Sequence, residues 1–247
     1  MGNRIAVISD IHANLEALQE VLTHIGNQSV DGVVCLGDIV GYNADPSACV
    51  NLCREWGVFC LMGNHDAAVC GKISLADFND AALKAIQWTR IHLSKEDLLF
   101  LNRLPRFHRE YDKYLLVHGS LIDPDRYIFF QEDVEKDFEE MLRTYPKNFI
   151  AFFGHTHQRK VYSYYRETVF SGMPEDFRLE PLKRYFINPG SVGQPRDHSP
   201  LASYLVFDED ERQITFHRVV YDVRKAAEKV MKAGLPRSLA ERLYRGW

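Results

Sequence analysis

The segment "RIAVISDIHANLEALQEVLTHI" (residues 4–25) joins three patterns without a linker. It opens with a β-branched, apolar run, continues through a short polar stretch and ends in residues with helical periodicity. The apolar positions Leu15, Leu18, Val21, Leu22 and Ile25 recur three and four residues apart, as on one face of a helix. The segment therefore predicts a strand, a polar loop and an amphipathic helix.

The same unit occurs twice more in the first hundred residues. "DGVVCLGD" (residues 31–38) precedes the helical pattern of residues 45–56, and "VFCLMGNHD" (residues 58–66) precedes that of residues 75–93. Strand, loop and helix in alternation are typical of βαβ units with a parallel sheet. The continuous apolar runs indicate strands that are buried on both faces.

The rest of the chain has a different pattern of predicted helices and strands. A capping box at Ser94 opens a short helix, residues 106–117 predict two strands around a turn at 111–113, and residues 131–145 form an amphipathic helical pattern. Several short strands follow, and the irregular stretch 171–184 is expected to lie at a sheet edge. Two sheets with helices around them favour an α/β sandwich.

Composition limits the function classes. The chain has 46% hydrophobic and 26% charged residues, which is typical of a folded globular protein. We expect one domain that spans residues 1–247, with C-terminal helices at about 222–245 packed on it. A net charge of -4 argues against a stable nucleic-acid complex, and no apolar run has membrane-spanning length. Five unevenly spaced cysteines do not resemble a disulfide framework, so a reducing cytoplasm is the expected location.

Polar side chains follow the predicted strands where each strand ends. Asp10 and His12 follow the first strand, Asp38 the second, and Asn64, His65 and Asp66 the third, while His118, His155 and His157 follow two later strands. Ligand sites of open α/β sheets lie at the carboxyl ends of strands. We therefore expect these distant residues to converge.

The residue types indicate a metal centre. Aspartate and asparagine oxygens combined with several imidazoles suit borderline divalent ions such as Mn, Fe, Zn, Ni or Co. The set exceeds what one tetrahedral ion requires. Two ions sharing a bridging carboxylate fit it better, and such pairs are used in phosphoryl chemistry.

Five blocks carry a family resemblance: "DIH", "GDIVGYN", "GNHD", "VHGS" and "GHTH", in that order. They resemble the signature blocks of the calcineurin-like metallophosphoesterase superfamily, and "NPGSVGQPRD" (residues 188–197) is similar to a loop of its small bacterial and archaeal phosphodiesterase branch. The resemblance implies a four-layer α/β/β/α sandwich of two mixed sheets flanked by helices. It also implies a dinuclear site at one edge of the sheets.

The resemblance assigns roles to the block residues. Asp10, His12 and His157 would hold one divalent ion, Asn64, His118 and His155 would hold the other, and Asp38 would bridge them. A hydroxide between the ions would then attack the phosphorus in line with the leaving group. His65 would assist the leaving group, and Asp66 would orient His65.

Three further residues are candidate substrate contacts. Arg196 offers a forked cation for a phosphate, Asn43 follows the second block, and Tyr127 lies in an aromatic segment with Phe129. Stacking of these aromatics on a nucleobase competes with ordinary core filling, which the sequence favours. The basic residues of the C-terminal helices are expected to form a solvated face.

The function implied is a metal-dependent phosphoesterase acting on phosphodiesters or small nucleotide-like phosphates. Two enzymatic alternatives, a protein Ser/Thr phosphatase and a dinucleoside-polyphosphate hydrolase, share the metal chemistry. A non-catalytic metal-binding scaffold for protein partners is the alternative of another class. The native metal, the substrate and the oligomeric state are left open by these patterns.

Overall fold

The computed structural model describes residues 3–110 and 114–247, so the turn expected at 111–113 lies outside the described residues. Eight helices occur in the described part: α1 (Leu15–Gly26), α2 (Pro46–Glu55), α3 (Asn64–Val69), α4 (Asp80–His92), α5 (Lys95–Asn102), α6 (Gln131–Thr144), α7 (Val223–Lys232) and α8 (Arg237–Arg245). Within these ranges, no helix is both long and apolar enough to cross a membrane.

The first sheet contains the strands of the three strand–loop–helix units. Its strands are β1 (Arg4–Ile8), β2 (Gly32–Cys35), β3 (Phe59–Cys60), β9 (Phe177–Arg178), β11 (Ala202–Asp208) and β12 (Gln213–Val219), in the order β3-β2-β1-β11-β12-β9. β1, β2 and β3 run parallel, and β11 pairs antiparallel with β1. The three parallel strands therefore end at one edge.

The second sheet is also mixed. It consists of β4 (Phe107–Glu110), β5 (Tyr114–Val117), β6 (Ile150–Phe152), β7 (Arg159–Tyr165), β8 (Thr168–Gly172) and β10 (Arg184–Pro189), in the order β4-β5-β6-β10-β7-β8. β5 and β6 are parallel, so the residues that follow them lie side by side.

Three apolar layers hold the fold together. Alternate side chains of β1 point to opposite faces, so Ile5 and Val7 pack between the two sheets while Ala6 and Ile8 pack under the helices. α6 covers the other face of the second sheet with Val134 and further apolar residues. Helices, two sheets and a helix form four layers, and the expected α/β/β/α sandwich is confirmed.

The C-terminal helices pack against the helical layer of the first sheet. In α7, Ala227 and Val230 are buried in the core shared with α1. The ammonium of Lys229 lies 2.6 Å from Glu16 Oε1 and 2.8 Å from Asp45 Oδ2, so it joins α7 to α1 and to the start of α2. α7 is thereby fixed to the first two βαβ units.

Two local features refine the expectations. α3 begins at Asn64, where the sequence predicts a loop, because the following Asp66 carboxylate accepts the backbone N–H of Gly63 at 3.0 Å and stabilises the helix start. The irregular stretch 171–184 runs from β8, at the edge of the second sheet, through β9, at the edge of the first, to the start of β10. Its expected edge position is confirmed.

Candidate metal centre

The polar residues that follow three parallel strands of the first sheet and two parallel strands of the second meet in one buried cluster. Loops after β1, β2 and β3 bring three blocks from the first sheet, and loops after β5 and β6 bring two from the second. The cluster contains seven side chains that are each at most 9% exposed: Asp10, His12, Asp38, Asn64, His118, His155 and His157. The structure thus brings together every residue that the sequence proposes as a metal ligand.

The ligand atoms separate into two groups that share one carboxylate. Within each group, all ligand atoms lie within 4.8 Å of one another; the groups are Asp10, His12, Asp38, His157 and Asp38, His118, His155. Asp38 Oδ2 is 3.5 Å from His12 Nε2 and 3.4 Å from His118 Nε2. Asn64 Oδ1 extends the second group because it lies 3.2 Å from His118 Nε2.

Backbone carbonyls determine which nitrogen of each imidazole faces inward. Nδ1 of three rings contacts a carbonyl oxygen: His12 contacts Val40 at 3.1 Å, His118 contacts Leu36 at 3.1 Å, and His157 contacts Gln194 at 2.7 Å. In His155 it is Nε2 that contacts a carbonyl, that of Asp125, at 2.9 Å. A carbonyl only accepts, so each contacting nitrogen carries the proton and the other nitrogen is available to a metal.

These tautomers leave polar atoms that a cation would satisfy. His12 Nε2 and His157 Nε2 lie 3.1 Å apart with their lone pairs toward each other. Asp38 Oδ2 is buried and has no hydrogen-bond partner in the described part of the chain. Electron pairs facing one another in a buried space are unfavourable unless a cation lies between them. The donor set therefore fits divalent ions.

Burial and mutual charge shift the pKa values of the ligands. Burial raises the pKa of Asp10 to about 7. Burial also acts to raise the pKa of Asp38, but the imidazoles of His118 and His65 outweigh it and hold that pKa well below its usual range. Burial would lower the pKa of His118, yet the Asp38 carboxylate raises it to about 9. Without metal, protons occupy part of the site.

The backbone at the site adopts an uncommon conformation. Six non-glycine residues there have φ between +48° and +66°: Asp10, His12, Asp38, Tyr42, His155 and His157. L-residues disfavour this left-handed region by about 1–2 kcal/mol each. Such strain is concentrated at functional sites, where surrounding contacts enforce it.

His65 lies beside the cluster at the wall of a cavity. Its ring centroid is 4.4 Å from that of Tyr42 and 5.1 Å from that of Phe78, and its Nδ1 has no partner among the described residues. Burial lowers the pKa of His65 to about 4. Gly41, at φ +96°, allows this position, because a Cβ there would lie 2.5 Å from His65 Nδ1.

Asp66 does not orient His65 as the sequence predicts. Its Oδ2 accepts backbone N–H groups of Asp38 at 2.8 Å and Gly63 at 3.0 Å, and its Oδ1 accepts that of Val40 at 3.1 Å. The carboxylate is committed to the loop after β2 because this loop turns its N–H groups toward the start of α3. Asp66 therefore supports Asp38, and the prediction of a bond to His65 is wrong.

The three candidate substrate contacts differ in position. Asn43 is buried behind the site and donates its side-chain N–H to the His12 carbonyl at 2.8 Å. Tyr127 is 41% exposed and stacks on the His155 ring with centroids 3.8 Å apart, so core filling is wrong for this residue. Arg196 Nη2 lies 3.4 Å from the Tyr42 hydroxyl. Tyr127 is thus at the rim of the site, Arg196 lies beside Tyr42, and Asn43 holds the backbone at His12.

Two residues at the site were not singled out from the sequence. Tyr42 stands inside the "GDIVGYN" block, and its ring centroid is 4.6 Å from that of His12. Gln194 orients His157 through its backbone carbonyl. The block position is a usable signal for Tyr42, whereas a backbone acceptor gives none.

A cavity of about 400 Å³ opens at the second ligand group. Asn64, His65 and His155 line its inner end, and Tyr42, Phe78 and Tyr127 contribute aromatic walls. Asp77, Asp123 and Asp125 also line it. This volume lies within the range of small-ligand pockets, at its lower end.

Comparison with known proteins agrees with this geometry. A family profile described as "Calcineurin-like phosphoesterase superfamily domain" matches residues 4–212. The chain is 42% identical over 245 residues to an uncharacterised protein of Methanocaldococcus jannaschii, covering 98% of each chain. A metallophosphoesterase from Sphaerobacter thermophilus is 38% identical, with a TM-score of 0.82 and 99% of each chain covered.

A more distant structure shares the fold. A hypothetical protein from Pyrococcus horikoshii OT3 is 19% identical, with a TM-score of 0.79, over 99% of this chain and 98% of that one. The profile match covers well over half of the chain and includes every strand that leads into the candidate metal centre. The chain therefore belongs to the calcineurin-like phosphoesterase superfamily.

Proposed function

We propose that this protein is a phosphoesterase that uses two divalent metal ions to hydrolyse phosphodiesters or small nucleotide-like phosphate esters. The observation that carries the proposal is the position of Asp38. Its buried Oδ2 has no hydrogen-bond partner in the described ranges, and Asp38 is common to both ligand groups. One carboxylate between two groups of ligands is what a dinuclear centre requires.

The protein's own contribution is a prearranged set of ligands. Asp10, His12 and His157 would hold one ion, and Asn64, His118 and His155 the other, with Mn, Fe, Zn, Ni or Co as candidates. Bound ions would supply Lewis acidity and water of lowered pKa. The four backbone carbonyls that contact the imidazoles keep the ligating nitrogens directed inward before any ion arrives.

The chain also contributes a group on the leaving-group side. His65 follows the ligand Asn64 and lines the same cavity. We assign it a hydrogen bond from its ring N–H to the departing oxygen, because a pKa of about 4 leaves the imidazole uncharged near neutral pH. Its ring is held between Tyr42 and Phe78, which limits its rotation.

The cavity supports a small substrate. A volume of about 400 Å³ with aromatic walls accommodates one compact organic group beside the phosphate. Its carboxylates disfavour the acidic segments of a phosphoprotein. We therefore favour a small phosphate ester or nucleotide over a phosphoprotein, and the net charge of -4 is unfavourable for a stable nucleic-acid complex.

The test is turnover by metal-depleted protein that is resupplied with Mn, Ni, Co, Fe or Zn. The substrates are bis-p-nitrophenyl phosphate, p-nitrophenyl phosphate, cyclic nucleotides, diadenosine tetraphosphate and a phosphopeptide. Asp38→Asn protein purified in parallel controls for contaminating phosphatases. We expect metal-dependent hydrolysis of the diester and of small nucleotides, with little on the phosphopeptide.

Other outcomes would change the assignment. Preferred turnover of the phosphopeptide would favour a protein phosphatase. Stoichiometric metal binding without hydrolysis of any substrate would favour a non-catalytic scaffold.

A further inference from the structure

Two arginines from distant parts of the chain meet on one glutamine side chain. Gln194 Oε1 accepts a hydrogen bond from Arg196 Nη2 at 2.9 Å and another from Arg242 Nη1 at 3.0 Å. Gln194 is 1% exposed, and its Nε2 has no partner among the described residues. Because the shared acceptor is neutral, it does not offset the two positive charges.

The fold holds Arg242 in this place. Arg242 lies on α8, and its Nε donates to the main-chain oxygen of Trp247 at 2.8 Å. Just beyond α8, the Gly246 carbonyl accepts the backbone N–H of His198 at 2.8 Å. This bond ties the end of α8 to the loop that carries Gln194 and Arg196. Burial, followed by the charge of Arg196, lowers the pKa of Arg242 below its usual value.

The arginine pair lies next to the candidate metal centre. Gln194 connects the pair to the centre. Its backbone carbonyl accepts a hydrogen bond from the metal-ligand candidate His157, and its side-chain oxygen accepts hydrogen bonds from both arginines. Arg196 also approaches the Tyr42 hydroxyl at 3.4 Å. The hydrogen bonds of Arg242 go to Gln194 and Trp247 and to none of the metal-ligand candidates. Together with the neighbouring Arg196, Arg242 therefore suits a group beside the centre and not the phosphate that the ions would hold.

A second cavity provides space for that group. It measures about 220 Å³ and is lined by residues of α8, including Arg242 and Arg245, and by Asn79, which also lines the larger cavity. Its only acidic side chain, among the described lining residues, is that of Glu241, and this is paired with Arg237 at 2.7 Å.

The charges of the two cavities differ. The described lining of the larger cavity contains three aspartates, of which Asp125 is paired with Arg106, and no lysine or arginine. An additional phosphate is therefore unfavourable there and favourable beside α8.

We propose that Arg196 and Arg242 form an anion subsite that binds a substrate phosphate other than the one hydrolysed. This rests on the proposed function and narrows its substrate class to esters with at least two phosphate groups. A guanidinium presents parallel N–H donors that match two oxygens of a phosphate. Gln194 prearranges both guanidiniums for such a group.

Matched phosphonates test the subsite without turnover. Methylphosphonate carries one phosphonate group and methylenediphosphonate carries two, and neither is hydrolysed as an ester. Calorimetric titrations use the full-length protein with manganese, and again after metal removal, so that chelation by the diphosphonate is separated from contact with the arginines.

The variants are Arg242→Ala, Arg242→Lys and the control Arg224→Ala. Arg224 lies on α7 with its side chain 82% exposed, so its loss changes the net charge without touching the subsite. We expect Arg242→Ala to weaken diphosphonate binding about tenfold and methylphosphonate binding less than about twofold, with partial recovery in Arg242→Lys. Arg224→Ala should bind as the wild-type protein does.

Three results would overturn the proposal. The wild-type protein could bind neither probe, Arg242→Ala could lose the same affinity for both probes, or Arg242→Ala and Arg224→Ala could lose the same affinity for the diphosphonate. Arg242-dependent diphosphonate binding in a protein that hydrolyses no phosphate ester would keep the subsite and reject the proposed function.

Discussion

The carboxylate of Asp66 accepts the backbone N–H of Asp38 at 2.8 Å, so one buried aspartate holds the residue that is common to both ligand groups. The same carboxylate also accepts the N–H groups of Val40 and Gly63. Asp66 thus links the start of α3 to the loop after β2, and the position of Asp38 depends on that link.

Replacement of Asp66 should loosen the metal centre. In Asp66→Asn an amide N–H₂ would face backbone donors, and we expect a loss of about 2–4 kcal/mol in the free energy of unfolding. Metal affinity should fall about 10–100-fold, as for other residues that support a ligand. The control is Asp97→Asn, because Asp97 is also buried and accepts the Ser94 N–H in a capping box. Equal metal affinity in both variants, measured by calorimetry, would contradict the link.

Asp38→Asn should affect both ions together. An amide is a neutral and weaker ligand than a carboxylate, so we expect at least about 100-fold weaker binding of two metal equivalents and little residual turnover. The exposed Asp80 on α4 gives the control Asp80→Asn. Two metals retained at full occupancy, as measured by elemental analysis, would show that Asp38 is not shared.

Gly41→Ala separates backbone strain from the position of His65. Both Gly41 and Gly71 have positive φ, but a Cβ at Gly71 would have nothing within 4 Å. Each replacement by alanine should therefore lower the free energy of unfolding by about 1–2 kcal/mol relative to the wild-type protein. Turnover should fall about 10–100-fold in Gly41→Ala alone, since only there would the new methyl group displace the His65 imidazole. Equal kcat in both variants would mean that His65 tolerates displacement.

His65→Ala should retain metal and lose rate. We expect kcat to fall about 100-fold for an alkyl phosphodiester and less than about tenfold for a p-nitrophenyl ester, because a good leaving group needs little assistance. His92 is exposed and stacks on Trp88, so His92→Ala is the control. Loss of metal from His65→Ala would assign the imidazole to the ligand set instead.

Metal affinity should rise with pH. Metal-free Asp10, with a pKa of about 7, and His118, with a pKa of about 9, carry protons that a divalent ion must displace. Below about pH 7 both protons compete with the metal, and the logarithm of the metal affinity should rise by roughly two per pH unit. Between about pH 7 and 9 only the proton on His118 competes, and the slope should fall to roughly one per pH unit. Calorimetry in buffers of different ionisation enthalpy counts the released protons. An affinity that is constant from about pH 6 to 8 would contradict these protonation states.

The convergence of the site residues could be predicted from the sequence. Each of them follows a strand, and parallel strands of one sheet end at the same edge. Asp10, Asp38 and Asn64 follow three parallel strands of one sheet, which must end at a common edge. Likewise, His118 and His155 follow two parallel strands of the other sheet. The apolar runs of these strands identify where each one ends, so the polar residues that follow could be selected from the sequence.

Other features could not be predicted because they depend on backbone atoms or on distant packing. Any residue type offers a carbonyl, so the acceptors that orient His12 and His157 give no sequence signal. Arg242 reaches Gln194 from α8, a helix far along the chain that is held by its buried Leu239 and Leu243 and by the bond to the loop at His198. The sequence predicts that Asp66 orients His65, whereas the backbone N–H groups of the loop after β2 offer its carboxylate more donors.

The left-handed conformation of six site residues bears on how this protein would change over evolutionary time. Glycine adopts such φ values without strain, so replacing Asp10, Asp38 or His157 by glycine would relieve part of the conformational cost while removing the side chain. A gene copy freed from selection for metal binding would therefore gain stability through substitutions that destroy the centre. Aspartate and histidine at these positions persist only where the ions are useful enough to outweigh that gain.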